Sequence, residues 1–360
     1  MKYTTEAWVL NQSKDTPLSI ESITFSELSP EEVLIKPMYG CFEGNMLHAL
    51  ERTPINICTE RNEKKIVLGN AGVVEVQEIG SKVDNVKKGQ YCIYFCNGES
   101  DDYGFPEKIA GYDCVGSIGL LAKLTKAKQS QLIPIPEDTK ISLQQWAAFS
   151  LRYITAWSNW KVAYSCFLSQ MDSVKPNEIN VVAWGGGVSL AELSLANHFG
   201  CNTFMVSSKK DTLETIKRSN IHPIDRTQFS KGNFESEFLA YLDDITNKKR
   251  ASIFVDNIGG SLFNLTLKSL SRQGVLATSG WKNGAVTPFV RSLECIHRHI
   301  FVHTHYAKYE EGVKAVDFAY KNHWVPELSS TEYTWKELPK LIEDYQTGNI
   351  DTYFPIFSVN

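Results

Sequence analysis

The sequence predicts an α/β protein in two parts, a β-rich N-terminal half followed by a doubly wound parallel sheet. Three observations predict this. At 360 residues the chain exceeds what one hydrophobic core usually serves. Residues 1 to about 155 alternate short apolar runs with Pro, Gly, Ser and Asn clusters, as a curled sheet or barrel does. From 179 onward, apolar runs alternate with segments of helical spacing, the pattern of repeated βαβ units.

Strands are expected in the first half at "EAWVL", "LSIESITF", "EEVLIKPMY", "IVLGNAGVVEVQEI" and "GQYCIYF". The period changes at "WAAFSLRYITAWSNW", where the apolar residues take helical spacing. "INVVAW" is almost wholly apolar, as a strand covered on both faces of a parallel sheet must be. The helix expected next, "GGGVSLAELSLANHFG", places Val188, Ala191, Leu195 and Phe199 on one face, with Gly200 as its C-cap. "NTFMVSS", "HPIDR", "ASIFVDNIGG" and "GVLATSGW" supply further strands, and the tail from 330 reads as a helix and a final strand.

Composition excludes several classes. Apolar content of 42% and charged content of 22% are those of a globular chain, not of a fibre, a disordered tail or a membrane protein. The start "MKYTTEAWVLNQSKD" lacks the features of a signal peptide, and no run of about 18 apolar residues occurs, so a cytoplasmic protein is expected. Eight cysteines without a CxxC pair suit reduced thiols. A net charge of −4 with scattered basic residues gives no footprint for nucleic acid, so a small-molecule substrate is expected as partner.

The most informative stretch is "VVAWGGGVSLAEL", glycines between a buried strand and a helix. Small residues there let the backbone approach a pyrophosphate, and the helix N-terminus offers it free N–H groups. Gly185, Gly186, Gly187, Val188 and Ser189 are the candidates, with Trp184 in the place of the first glycine of GxGxxG and Ser189 in that of the third. A ligand-free tight turn is the alternative. At the end of the second strand an acidic residue would hold the ribose of NAD. Here the chain has Ser207, Ser208, Lys209 and Lys210, which favours the 2′-phosphate of NADPH, the alternative being a solvated lysine pair. Asn257 in "FVDNIGG" and Ser279, Gly280 and Trp281 in "GVLATSGW" stand at strand ends, where such folds keep their ligands.

These motifs, with "LGNAGVVEVQEIGSKVDNVKKGQ" and "LRYITAWSNW", in this order, resemble the medium-chain dehydrogenase/reductase superfamily, and most of all its zinc-free quinone oxidoreductase and enoyl reductase branch. The resemblance covers essentially the whole chain. It implies a GroES-like β-rich catalytic domain over 1–157 and 308–360 and a Rossmann NADP-binding domain over 158–307, with the active site in the cleft between them and a homodimer as the assembly.

Metal-binding members of the family use a cysteine, a histidine and a third ligand. In register, Glu43 stands at the cysteine position with Cys41 two residues early, Asn70 at the histidine, and Leu151 at the third. Asparagine and leucine make poor or impossible zinc ligands, so no metal is expected. Glu43, His48, Cys41 and Cys58 remain as parts of a conceivable different site, without motif spacing.

Without a Lewis acid, the expected reaction is hydride addition to a conjugated C=C or to a quinone, whose own oxygen takes up the charge. The protein then needs hydrogen-bond donors for that oxygen. By the resemblance, Tyr153 is a candidate for the substrate carbonyl or the nicotinamide ribose and Arg152 for an anion- or carbonyl-binding charge, the alternative for both being the capped start of a buried helix. Asn70 either bonds substrate or cofactor or stabilises a turn. Glu43 and Tyr306 are candidate substrate contacts. In "CIHRHIFVHTHYAKY", His303 and His305 share a strand face; by the resemblance, His303, His305 or Tyr306 is a candidate proton donor, the alternatives being a stray metal or a subunit contact. Two other functions stay open: an alcohol or aldehyde oxidoreductase with a rebuilt acid/base or metal site, and a non-catalytic NADPH-binding protein.

Overall fold

The computed structural model describes residues 2–12, 18–280, 291–304 and 306–360; Trp281 and His305 lie outside the described residues. The chain divides into two compact units, Met1–Ile154 with Lys308–Asn360, and Thr155–Ala307. Among the described residues no helix is long and apolar enough to cross a membrane.

The first unit is built on antiparallel pairs. Its strands are β1 (Tyr3–Asn11), β2 (Leu18–Phe25), β3 (Glu32–Cys41), β4 (Lys65–Val67), β5 (Gly72–Ile79), β6 (Tyr91–Tyr94), β7 (Asn97–Ser100), β8 (Pro106–Ile109), β9 (Thr125–Lys128) and β10 (Leu132–Pro134). β2, β1 and β4 form one sheet in that order. A second runs β10-β6-β5-β3 and ends on the C-terminal strand Ile356–Ser358, with β9 also on β3; β7 and β8 pair separately. These curled sheets are the GroES-like half of the fold. A core of Phe42, Met46, Leu68, Leu121, Leu338 and Phe357 fills it, so residues at both ends of the chain share one interior.

One strand expected in this half is two. "IVLGNAGVVEVQEI" breaks between Val67 and Gly72. Gly69 turns the chain at φ +115°, donating its N–H to Gly111 O and accepting from Leu120 N. A Cβ on Gly69 would lie 2.7 Å from the Leu120 nitrogen, so only glycine fits there.

The second unit is a parallel six-stranded sheet of β11 (Asn180–Trp184), β12 (Asn202–Ser207), β13 (His222–Asp225), β14 (Ala251–Val255), β15 (Leu270–Thr278) and β16 (Ile300–His303). Its order, β13-β12-β11-β14-β15-β16, has two halves that diverge from the β11/β14 junction, the Rossmann arrangement. Every residue of β11 and β14 is buried, as strands covered on both faces must be. The helix Gly187–His198 differs from expectation. Ser189, Leu190, Ala191, Glu192, Leu193, Leu195 and Ala196 are buried, so it is enclosed nearly all round and has no single stripe. Val188 is half-buried and Phe199 is 41% exposed beside the rings of Trp160 and Tyr164. Gly200, at φ +83°, follows the helix as expected.

Candidate functional site

The glycine turn joins β11 to the helix Gly187–His198. Gly186 is the N-cap at φ +155° and ψ 158°, a conformation nearly restricted to glycine, and no side chain caps the helix. The first-turn N–H groups at Gly187, Val188 and Ser189 therefore have no partner within the helix and carry its positive dipole end. Among the described residues a Cβ on Gly186 would meet only Ser189 Oγ, at 3.8 Å, so they leave the space in front of the turn open. This cradle fits a pyrophosphate.

The two departures from the glycine pattern have structural reasons. Trp184 ends β11 with its ring in the sheet's core, 5.2 Å from Phe238 and 5.1 Å from Phe254, so its bulk is kept off the turn. Its indole N–H donates to Thr266 Oγ1 at 2.7 Å, and that hydroxyl donates to Asp256 Oδ2 at 2.8 Å. Ser189, wholly buried, accepts from Asn257 Nδ2 at 3.2 Å. Asn257 Oδ1 in turn accepts from the N–H of Ser279 at 2.8 Å and from its hydroxyl at 3.1 Å. Thr278 donates to Gly280 O at 3.0 Å. The structure thus brings the candidates after β11, β14 and β15 to one rim of the sheet.

At the next strand end, Ser207 closes β12, and Ser208 and the exposed Lys209 lead into the helix Lys210–Arg218. Lys209 is its N-cap, and the Lys209 N–H reaches Ser207 Oγ at 3.4 Å. Two serines and two exposed lysines at a helix start suit a phosphate and carry nothing to repel one.

The first unit holds a buried charged cluster. Arg152 Nε donates to Glu43 Oε2 at 2.8 Å and Nη2 to Phe42 O at 2.9 Å. Burial disfavours the guanidinium's charge, but Glu43 beside it more than restores it, and Arg152 stays protonated. Burial pushes the Glu43 carboxyl up, with Arg152 pulling against it, and Oε1 has no hydrogen-bond partner among the described residues. The Cys41 thiol is pushed well up by burial and by Glu43.

Asn70 follows Gly69 in the turn that precedes β5. It is wholly buried, and neither atom of its amide has a hydrogen-bond partner among the described residues. Cys41 N donates to Ala71 O at 3.1 Å, so the β3–β5 ladder carries Glu43 and Asn70 to the same end of the sheet.

Arg152 and Tyr153 are both buried. Arg152 is an ion-paired side chain rather than an isolated charge, because Nε donates to Glu43 and Nη2 to the Phe42 carbonyl. Tyr153 is 2% exposed and packed 5.2 Å from Phe149, 4.8 Å from Trp324 and 5.8 Å from Phe354. Burial drives its hydroxyl above the usual phenol range. Both sit on the helix Leu143–Leu168, where aromatic neighbours from the C-terminal segment close over the face assigned to substrate. His303 is exposed on the sheet's edge strand, and Tyr306 is half-buried.

Sequence reasoning missed a second buried cluster, in the other unit. Asn159 Nδ2 donates to Glu192 Oε2 at 3.1 Å, and Thr304 Oγ1 donates to Asn159 Oδ1 at 2.9 Å. Burial raises the Glu192 carboxyl to about 8, with Asn159 opposing. The available signal was a carboxylate inside the apolar run "SLAELSLA".

No family model matches the chain. It is 24% identical over 229 residues to a quinone oxidoreductase-like protein 2 homolog from Nematostella vectensis, covering 63% of this chain and 53% of that one. It is 27% identical over 207 residues to a zinc-type alcohol dehydrogenase-like protein from Schizosaccharomyces pombe, covering 54% of this chain and 56% of the relative. The matches thus span about half the length of these curated relatives. The fold superposes on a crotonyl-CoA carboxylase/reductase solved in complex with NADP at a TM-score of 0.83, with 16% identity over 99% of this chain and 95% of that one. An alcohol dehydrogenase from Thermotoga maritima gives a TM-score of 0.80, with 18% identity over 99% of both chains. The sequence relatives and the two-part architecture both support the resemblance to the medium-chain dehydrogenase/reductase superfamily.

Proposed function

We propose that this protein is an NADPH-dependent oxidoreductase that reduces an activated C=C or a quinone without a catalytic metal. The observation that carries the reading is the open glycine cradle at Gly186, with an uncapped helix behind it and Ser207, Ser208, Lys209 and Lys210 at the neighbouring strand end. The likeness to an NADP-bound crotonyl-CoA carboxylase/reductase supports the choice of cofactor. On this reading Met1–Ile154 with Lys308–Asn360 is the catalytic domain and Thr155–Ala307 binds the cofactor.

When bound, NADPH supplies a hydride. The chain's own residues do the rest. Gly185, Gly186, Gly187, Val188 and Ser189 hold the pyrophosphate with backbone N–H groups. The four residues after β12 take the 2′-phosphate. Asn257, Ser279 and Gly280 line the rim for the other half, with Trp281 next to them in sequence. In the first unit, Asn70 Nδ2–H is the donor for the oxygen that gains charge when the substrate is reduced, because its amide is buried with both atoms still to be satisfied.

Metal independence is supported by the chemistry of the donor set. The residue in register with a metal-binding cysteine, Glu43, is bonded to a guanidinium, whose charge opposes a cation beside it. His303 and Tyr306 are the proton-donor candidates within the described residues, and His305 keeps that proposal from sequence. The edge strand β16, with exposed Phe301 and His303, is consistent with a homodimer. All eight cysteines are free, as a reducing cytoplasm requires.

The test is a fluorescence titration of the purified protein with NADPH and with NADH. Binding of NADPH about tenfold or more tighter is expected from the added phosphate contacts. Equal affinity for both, or preference for NADH, contradicts the cofactor assignment.

A further inference from the structure

Glu192 has no part in the mechanism above, and nothing about a dinucleotide helix calls for an acid in its second turn. It is wholly buried, and Oε1 has no hydrogen-bond partner among the described residues. Leucine or alanine would fill such a place without the cost of burying an ionisable group. What the acid adds is a chain of hydrogen bonds. Glu192 Oε2 accepts from Asn159 Nδ2 at 3.1 Å, and Asn159 Oδ1 accepts from Thr304 Oγ1 at 2.9 Å.

The far end of this chain lies on the ligand-binding rim. Thr304 N donates to Thr278 O at 3.1 Å, so Thr304 stands one rung beyond the last residue of β16, at the C-terminal end of parallel β15 and β16. The sheet order sets β14, β15 and β16 on the opposite side of the β11/β14 junction from β12 and β13. In such a sheet the pyrophosphate lies at the glycine turn after the first strand and the adenosine beside the second. The nicotinamide half is then left to the ends of β14, β15 and β16.

We propose that Glu192 is a positioning residue for the nicotinamide half of the cofactor: through Asn159 it fixes the turn at Thr304, and so ties the glycine-turn helix to the rim on which that half rests. This rests on the dinucleotide reading given above. Glutamine keeps the acceptor that Asn159 needs, whereas leucine removes it.

The test compares the full chain with E192L, E192Q and T304V by calorimetric titration, using NADPH and adenosine 2′,5′-bisphosphate, which carries the phosphate end but no nicotinamide. E192L and T304V are each expected to weaken NADPH about tenfold and to leave the bisphosphate within about twofold. E192Q is expected to restore NADPH affinity to within about threefold, and E192L/T304V together to be no weaker than either alone, because both break the same chain. A purely structural role moves both ligands together, and that result overturns the proposal, as does unchanged NADPH binding in the variants. If E192L does not fold, T304V, which keeps Glu192 and cuts the other end, decides alone. A wild-type protein that binds neither ligand overturns the dinucleotide reading and this inference with it. A wild type that binds both ligands, with variants that lose both together or neither, overturns the inference only.

Discussion

Arg152 and Glu43 form a buried ion pair, Nε to Oε2 at 2.8 Å, with side chains only 8% and 6% exposed. The guanidinium satisfies one carboxylate oxygen and the Phe42 carbonyl. On the proposal of metal-free reduction, Glu43, held by Arg152, stands in register with the cysteine ligand of metal-dependent relatives.

Breaking that pair from one side is expected to be severe. R152M leaves Glu43 buried without its partner and should lower stability by about 3–5 kcal/mol. The double variant R152M/E43L, which removes both charges, should recover most of the loss. Urea unfolding of the two variants and wild type reads this directly. A double variant no more stable than R152M shows that the pair is not the cause.

Glu192 makes stability depend on pH. Burial raises its carboxyl from an ordinary 4.5 to about 8 in the folded protein. A raised acid favours the folded state fully below the unfolded value. That contribution is lost as pH rises from about 4.5 through about 8, and the slope then ends. E192Q, which cannot ionise, should gain on wild type across this window by up to about 5 kcal/mol. Urea midpoints for both proteins at pH 5, 7 and 9 check it. Parallel curves contradict an un-ionised Glu192.

The turn at Gly186 is expected to tolerate no side chain, although space in front of it is open. Its φ of +155° is a region that L-residues avoid, at a cost on the order of 1–3 kcal/mol. G186A should therefore lower both the melting temperature and NADPH affinity. A Cβ there also projects toward the pyrophosphate cradle, so affinity should fall by more than the loss in stability explains. Wild-type affinity in G186A contradicts the phosphate turn.

Cofactor choice is assigned to the residues after β12. K209A/K210A should weaken NADPH by about 10-fold or more and leave NADH unchanged, since each charge-assisted bond to phosphate contributes about 1–2 kcal/mol. S208D should reverse the preference by repelling the 2′-phosphate. Paired titrations decide the matter, and equal losses for both nucleotides contradict it.

Much of the architecture is legible because its signals are local. "INVVAW" reads as a doubly covered strand from its own residues, and the glycines after it mark the turn without reference to the rest of the chain. The same holds for β2, whose bounds match "LSIESITF". The break inside "LGNAG" is less visible, because it depends on Gly111 and Leu120, some forty to fifty residues later in the chain. The polar chain is harder still. Asn159 and Glu192 are 33 residues apart, and Thr304 is 145 beyond Asn159, so each reads alone as a stray polar residue. Arg152 and Tyr153 were placed by resemblance at the substrate. Glu43 and the rings of Trp324 and Phe354, which claim them, meet them only in the folded unit.

On the proposed reading NADPH reduces the substrate without a metal, and Asn70 donates to the substrate oxygen. The most direct measurement is NADPH oxidation by chelator-treated, metal-analysed protein against a panel of quinones and enones, with N70L run beside wild type. The account predicts substrate-dependent oxidation that survives chelation and falls about 100-fold in N70L, the usual effect of removing an oxyanion donor. Activity that disappears with chelation and returns with zinc, or that N70L leaves intact, contradicts it.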